Sequence, residues 1–383
     1  MVWSGGPFRI VAVMPPALIH LIAAARPNFM KIAPLYHRLR GEDWCRLALI
    51  HTGQHYDANM SSAFFRDLDL PTPHHHLGVG SGSHAEQTGG VMIAYERLCS
   101  ETRPDWIVVV GDVNSTLACA LVGAKAGIRV AHLEAGLRSR DRAMPEEINR
   151  ILTDALADLL WTPSADADAN LRAEGVAPER IERVGNIMID SYELLRERIA
   201  ACGAGARLGL QAKGYGVVTL HRPVNVDDRA RLEFLLDRLG AVAARVPLVF
   251  PLHPRTAARL DAFGLKDRLF AMPGMKPVAP MGYIEFMSLV GEAALAITDS
   301  GGIQEETTYL GIPCLTLRET TERPVTITEG TNELVAAAAL PEAVARARDG
   351  RWRRGRVPHL WDGHAAERVA LSLARHTREE KPA

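Results

Sequence analysis

The sequence predicts an α/β protein of two units, each a parallel sheet wound with helices on both faces. Three observations lead there. The chain is 383 residues long, more than one ordinary core serves. Short apolar runs alternate with amphipathic helical stretches through both halves. Some runs, WIVVV at 106–110 the plainest, are apolar without alternation, the pattern of a strand covered on both faces.

Composition narrows the class. With 47% hydrophobic and 23% charged residues, the chain reads as a soluble globular enzyme. A net charge of −1 lacks the basic excess that phosphate contacts demand of a nucleic-acid binder, so local arginines are read as serving a small anion. Cys45, Cys99, Cys119, Cys202 and Cys314 are odd in number, scattered and without a CxxC pair, which fits a reducing cytoplasm. No apolar run approaches the roughly 18 residues that span a bilayer. The opening MVWSGGPFRIVAVMPPALIH has no cleavage site and reads as an extension, not a signal peptide.

In order, 1–16 is that extension, 17–202 the first unit, 203–362 the second, and 363–383 a terminal helix able to pack back on the first. A strand at 19–24 runs into Arg26-Pro27, and Pro27 delays the following helix, which extends to about residue 40. Arg26 and Lys31 then stand near a helix N-terminus, as an anion site or as part of a solvated face. Strand 47–51 leads to Thr52-Gly53-Gln54-His55, with Gly53 in a turn between His51 and His55. His74, His75 and His76 cannot all face one point in a regular element, so no metal site is expected. A Gly/Ser loop at 78–83, lid or plain connector, precedes a helix at 84–102.

Strand 106–110 ends in Gly111-Asp112, and strand 129–133 in Glu134. Pro145 then opens a helix with Glu146 and Arg150 four apart on one face. In an open α/β sheet the carboxyl ends of the strands share one crevice, which makes Asp112, Glu134 and Glu146 candidate catalytic carboxylates. Plainer readings exist: Asp112 as a helix N-cap, and Glu146 with Arg150 as a surface ion pair. Strands at 159–162 and 181–184 and a helix at 188–202 complete the unit, and Gly203-Ala204-Gly205 reads as the linker.

The second unit repeats the alternation, with strands at 217–220, 248–252 and 269–272 and a helix from Tyr283. His221 follows the first of these strands; His253 and Arg255 follow the second and read equally as a helix cap and a surface charge. The stretch LAITDSGGIQEETTYLGIPCLTLRETTERP, 295–324, organises this unit: an apolar run to Asp299, a turn through Ser300-Gly301-Gly302, a helix, and a second apolar run at 313–317. A helix that begins on a Gly pair turns free N–H groups and its positive dipole end toward whatever lies above the strand, which suits a pyrophosphate. Arg318 and Arg323 can close on the same anion. Glu305 and Glu306 carry the wrong charge for it, so at least one is read as facing something else, such as a ribose diol. The plainer reading is an ordinary βαβ helix start with glutamates that complement its dipole.

The segments ARPNFMKIAPL, GDVNSTLA, HLEAGLRS, MPEEINR, VGNIMID, TLHRPVN, FPLHPRT, TDSGGIQEE and TERP, in that order between Ile19 and Leu334, resemble the non-hydrolysing UDP-N-acetylglucosamine 2-epimerases. The resemblance implies two Rossmann-like domains facing across a cleft, the glycosyltransferase-B type, and interconversion of UDP-GlcNAc and UDP-ManNAc without a cofactor. Residue by residue it implies Asp112, Glu134 and Glu146 as catalytic carboxylates, and His221 bonding the phosphate or moving a proton. Around UDP and its sugar it implies Arg26, Lys31, Arg150, Ser300, Gly301, Gly302, Glu306 and Arg323. The chain departs from many members at Asn28 and Val224, where they have Glu. Gln54-His55 matches the start of a regulatory nucleotide-sugar site of some bacterial members, but Asp57 and the 74–84 region lack its Gln and Arg, which argues against such regulation. The expected partners are UDP-GlcNAc, UDP-ManNAc and a second copy in a homodimer, with neither nucleic acid nor membrane.

The implied chemistry has a physical logic. The C2 hydrogen of an N-acetylhexosamine has no adjacent carbonyl, so a carboxylate cannot remove it unaided. Departure of UDP from C1 acidifies it, elimination leaves a 2-acetamidoglucal, and re-addition with protonation from the opposite face inverts C2. Neither a metal nor a nicotinamide is required. The rivals are a hydrolysing epimerase releasing ManNAc and UDP, a glycosyltransferase of the same architecture, and a catalytically silent nucleotide-sugar sensor.

Overall fold

Thirteen strands among the described residues form two parallel sheets. The structure, a computed structural model, describes residues 15–24, 26–53, 65 and 67–379. Most of the expected extension, together with Gln54, His55 and Asp57, lies outside the described residues.

The first sheet comprises β1 (Ala17–Ala23), β2 (Cys45–His51), β3 (His75–His76), β4 (Trp106–Val110), β5 (Arg129–Leu133), β6 (Leu159–Thr162) and β7 (Ile181–Arg183), in the order β3-β2-β1-β4-β5-β6-β7. The second comprises β8 (Gly216–Thr219), β9 (Leu248–Pro251), β10 (Met275–Val278), β11 (Leu295–Thr298), β12 (Cys314–Thr316) and β13 (Asn332–Leu334), in the order β10-β9-β8-β11-β12-β13. Each is the doubly wound arrangement, in which the winding reverses between the first and fourth strands and opens a crevice at their carboxyl ends. In the first unit that switch point lies between β1 and β4, just before Arg26 and Asp112. In the second it lies between β8 and β11, just before His221 and Ser300.

Local chemistry explains the winding. Ile107, Val108 and Val109 are fully buried, as a strand with helices on both sides requires. Ser83 and Glu86 form a reciprocal capping box at the start of the helix His84–Glu101. Pro34 lies inside the helix Arg26–Leu39 and has no N–H for the carbonyl of Met30; the Ser191 hydroxyl donates to that oxygen instead, at 2.5 Å. One apolar core runs from Ile19 and Leu21 of β1 through Ile199 to Val217 and Met287 of the second unit.

The chain returns to the first sheet at its end. The carboxylate of Asp190 accepts the N–H groups of Ala365 and Ala366, at 3.1 and 2.7 Å, at the start of the helix Ala365–Glu379. Farther along that helix, Ser372 and Thr377 accept the indole N–H groups of Trp161 and Trp106, at 2.9 and 3.0 Å.

Two expectations are corrected. The apolar run at 269–272 is not a strand: Lys266–Phe270 is helical, with Leu269 buried and Phe270 half exposed, and the strand is Met275–Val278 beyond it. Pro277 disguised this strand, but β10 is the sheet edge, where a residue without an N–H is tolerated. Gly203, at φ +60°, closes the helix Ile187–Cys202, and the next residues form a short helix, Ala204–Arg207, with Ala204 buried.

Candidate active site

On the first rim, cations meet carboxylates. Lys31, buried on the helix after β1, contacts Glu134 Oε2, so it is no solvated helix face. Arg150 reaches Asp112 Oδ2 at 2.5 Å, and Asp112 keeps about a third of its side-chain surface open, 32% against 3% for Arg150. Asp112 caps no helix, since Val113 occupies the N-cap of Asn114–Ala126. The Arg150 partner on its own helix is Glu147, 2.6 Å away at i,i+3, and not Glu146. Glu147 also accepts the N–H groups of Ser139 and Arg140 at 2.9 and 2.8 Å. Burial opposes its charge, yet these bonds and Arg150 hold it below the usual glutamate range. Glu146, half-buried, makes no side-chain hydrogen bond or ion pair among the described residues.

The pair missed on sequence is thus Arg150 with Glu147. A signal existed, because a salt bridge at i,i+3 is as feasible as one at i,i+4. Asn28 donates to the carbonyl of Val110 at 2.9 Å, while Val224 is exposed. The side chain of Arg26 lies outside the described residues. His74 and His76 each accept a backbone N–H through Nδ1, from Leu49 of β2 at 3.0 Å and from Gly78 at 3.1 Å, so the first ring ties its segment to the sheet and the second serves a local turn.

On the second rim the signs are reversed. His221 Nδ1 lies 3.0 Å from Asp299 Oδ1, and Asp299 also accepts the N–H groups of His221 and Arg222 and the Asn225 amide, at 3.0 to 3.1 Å. Burial works against the Asp299 charge, but the His221 hydrogen bond and its companions keep the carboxyl below the ordinary range. Ser300 caps the helix Gly301–Leu310 without a side-chain bond, leaving its hydroxyl uncommitted to the cap. A side chain at Gly301 would meet Arg323 Nη1 at 2.6 Å and Glu322 Oε1 at 2.7 Å, whereas one at Gly302 would meet nothing within 4 Å. The helix start is therefore closed on the Arg323 side and open on the other.

Arg323 is gripped by carboxylates: Glu322 at 2.5 Å and Glu305 at 2.8 Å, the latter an ion pair without hydrogen-bond alignment. Its Nη2 also lies 3.8 Å from Glu134 Oε1, which brings the two rims together. Arg318 pairs with the other oxygen of Glu322 at 2.9 Å, so one carboxylate bridges the two guanidinium groups. Burial pushes Glu305 up to about 7, with Arg323 opposing and Glu134 adding to the shift. Burial pushes Glu306 up to about 8, opposed by the Tyr283 hydroxyl beside it. A neutral Glu306 both donates and accepts, as a sugar hydroxyl pair requires. His253 and Arg255 take the plainer reading: His253 caps the helix Pro254–Ala262, and Arg255 pairs with Asp227.

Sequence reading did not single out Asp299 or Glu322 as partners of His221 and Arg323. Neither pairing has a recognisable spacing signal, since Asp299 is 78 residues from His221 and Glu322 immediately precedes Arg323.

Comparison with known proteins identifies the family. The sequence model of the UDP-N-acetylglucosamine 2-epimerase family matches residues 37–374. A UDP-N-acetylglucosamine 2-epimerase of Methanocaldococcus jannaschii is 42% identical over 325 residues, 83% of this chain and 88% of the relative. A UDP-2,3-diacetamido-2,3-dideoxy-D-glucuronate 2-epimerase of Pseudomonas aeruginosa is 38% identical over 359 residues, 92% of this chain and 98% of the relative. The crystal structure of the M. jannaschii UDP-GlcNAc 2-epimerase in complex with UDP-GlcNAc and UDP superposes with a TM-score of 0.86 at 39% identity, covering 94% of this chain and 99% of that one. Two doubly wound domains facing across a glycosyltransferase-B cleft, a family model matched over residues 37–374 and a relative 42% identical leave one conclusion: the chain belongs to the UDP-N-acetylglucosamine 2-epimerase family.

Proposed function

We propose that this protein interconverts UDP-GlcNAc and UDP-ManNAc by eliminating and re-adding UDP. The observation that carries the reading is the meeting of Arg323 with Glu134: an anion-binding group of one domain and a candidate proton-transfer group of the other, 3.8 Å apart at the facing strand ends. In the forward half, a carboxylate takes the C2 proton, the C2–H electron pair becomes the C1=C2 double bond, and the C1–O pair leaves with UDP. In the return half, a proton adds to C2 from the opposite face as a diphosphate oxygen rebonds to C1.

Asp112, Glu134 and Glu146 form the acid and base pool. Lys31 and Arg150 hold two of them by direct contact. Arg323, the helix start at Ser300, Gly301 and Gly302, and Arg26 after β1 receive the diphosphate charge as it grows. His221, held by Asp299, bonds that diphosphate or carries its proton, and Glu306 takes the ribose diol. The units 17–202 and 203–362, with 363–383 returning to the first, are the two lobes that keep glucal and UDP together.

A second reading concerns the sugar alone. The P. aeruginosa relative, matched along 98% of its length, points to a UDP-2,3-diacetamido-2,3-dideoxy-D-glucuronate substrate in the same reaction. Incubation with each nucleotide sugar in D2O, followed by NMR, tests both. UDP-ManNAc with deuterium at C2 is the expected product; free ManNAc would replace this reading with hydrolysis, and turnover of the diacetamido sugar alone would move it to the second substrate. We also propose a cytoplasmic homodimer. Free cysteines, four of the five buried, support a reducing compartment, and Ile148 and Leu152, 40% and 45% exposed one turn apart on Pro145–Leu156, support a contact between copies. Light scattering that returned a monomer would remove the dimer.

A further inference from the structure

Beneath the first rim lies a group of charges that the reaction itself does not use. His132, on β5, is fully buried between Val130, Ala131 and Leu133, also buried. Its Nδ1 lies 2.6 Å from Asp154 Oδ1, and its Nε2 lies 2.8 Å from the carbonyl oxygen of Gly111. Asp154, 1% exposed on the helix Pro145–Leu156, uses its other oxygen to accept the N–H of Gly136 at 3.0 Å and to pair with Arg138 at 2.7 Å. Arg138, buried as well, is held from its far side by a fork onto Glu174, at 2.8 and 2.6 Å.

The endpoints of this network matter. Gly111 immediately precedes Asp112, and Gly136 stands two residues beyond Glu134. The network therefore ties the loop of one candidate carboxylate to the loop of the other. Glu134 is also a non-glycine residue in the left-handed region, at φ +72°. Such a conformation persists only where the surroundings over-determine it. The residue before Glu134 accepts the N–H of Gly111 at 3.1 Å, and the residue after it donates to the carbonyl of Trp161 at 3.0 Å.

Hydrogen-bond capacity makes a further demand. The carbonyl of Gly111 can only accept, and a carboxylate paired with Arg138 can only accept. Both ring nitrogens of His132 must then carry N–H. Buried charges are costly where a hydrophobic residue of similar volume would serve, so an ionic group under two loops is better explained by orientation than by stability.

We propose that His132, Asp154 and Arg138 form a buried positioning triad that sets Asp112 and Glu134 in register with each other. The proposal rests on the reading that these two carboxylates transfer the protons. None of the three residues touches substrate; they act through the loops. A displacement of about 1 Å at the carboxylates is enough for a rate loss of about a hundredfold.

The test uses the full chain with His132→Gln, which retains volume but not both donors, and Asp154→Asn, which retains shape but not charge. Folding is checked by circular dichroism, and kcat, KM for UDP-GlcNAc and the UDP dissociation constant are measured. The expected result is a kcat about a hundredfold lower in both variants, with KM and UDP affinity within about threefold, because neither residue is among the groups assigned to UDP. A purely structural role would lower thermal stability and leave kcat of the folded protein intact. A folded variant with kcat within about threefold of wild type overturns the triad. Should neither variant fold, nitrogen NMR of histidine-labelled wild type decides: two ring N–H groups on His132 at neutral pH support the triad, and a single one overturns it. Glu134→Gln, measured alongside, separates the two readings. If it is inactive while folded His132→Gln is active, only the triad falls; if it retains full activity, the carboxylate assignment falls first.

Discussion

The two rims of the cleft solve opposite electrostatic problems with the same device. On the first, buried cations hold carboxylates at the crevice: Arg150 holds the partly open Asp112, and Lys31 holds Glu134. On the second, buried carboxylates hold basic groups: Glu322 and Glu305 grip Arg323, and Asp299 grips His221. Asp112, His221 and Arg323 are each the more exposed member of the pair, with the partner of opposite sign buried behind; Glu134 is the exception, its side chain 3% exposed against 10% for Lys31. On the proposed mechanism, the carboxylate rim moves protons, and the rim of cations and helix N–H groups receives the departing diphosphate.

Breaking one rim at a time tests this division. Asp112→Asn, Glu134→Gln and Glu146→Gln should each lower kcat by at least about a hundredfold, the usual scale of acid–base contributions, while UDP binding stays near normal. Stopped NMR assays of C2 deuteration with calorimetric UDP titration check it, and a near-normal rate in any one removes that residue from the proton-transfer set. Arg323→Ala should act in the other column. UDP affinity should fall by about a hundredfold, in line with about 2–5 kcal/mol for truncating one member of a buried charge pair. Arg323→Lys should not restore it, because a point charge cannot fork between partners as a guanidinium does. Unchanged UDP affinity would contradict the charge reversal between the rims.

Asp299→Asn should have a smaller effect, about tenfold to a hundredfold on kcat, since it leaves His221 present but no longer held in one orientation. The loss should exceed the loss of UDP affinity; equal losses would assign Asp299 to binding alone. The smallest effect concerns pH. The folded-state pKa of Glu306, about 8, lies above its ordinary value near 4.5, so the folded state holds a proton that the unfolded chain has released. That contribution to stability is complete below about pH 4.5 and is lost as pH rises toward 8. Glu306→Gln should therefore flatten the decline in Tm between about pH 6.5 and 8 relative to wild type. Parallel Tm profiles of the two proteins would show that Glu306 is already ionised.

The site was legible in the sequence to the extent that position along a strand determines it. Asp112, Glu134, His221 and Ser300 were found because each follows an apolar run, and parallel strands deliver their carboxyl ends to one side of a sheet. Their partners were not found. Arg150 chose Glu147 over Glu146 because Glu147 also satisfies the N–H groups of Ser139 and Arg140, a loop geometry with no sequence period. Arg318 was grouped with Arg323, and the structure adds Glu322 as the carboxylate that bridges them. The strand at Met275–Val278 was hidden by Pro277, whose tolerance depends on being at the sheet edge, a fact of strand order.

By itself, the sequence determined the alternation of strand and helix, the parallel sheets, the family and the residues that stand at the strand ends, because all of these follow from local periodicity and from short segments in fixed order. The tertiary structure decided which charge faces which. Partners such as His132 with Asp154, His221 with Asp299 and Glu134 with Arg323 lie on different elements, and the last pair on different domains. Their pairing depends on distances that exist only after the elements pack, and the strength of each pair depends on burial, which no stretch of sequence carries.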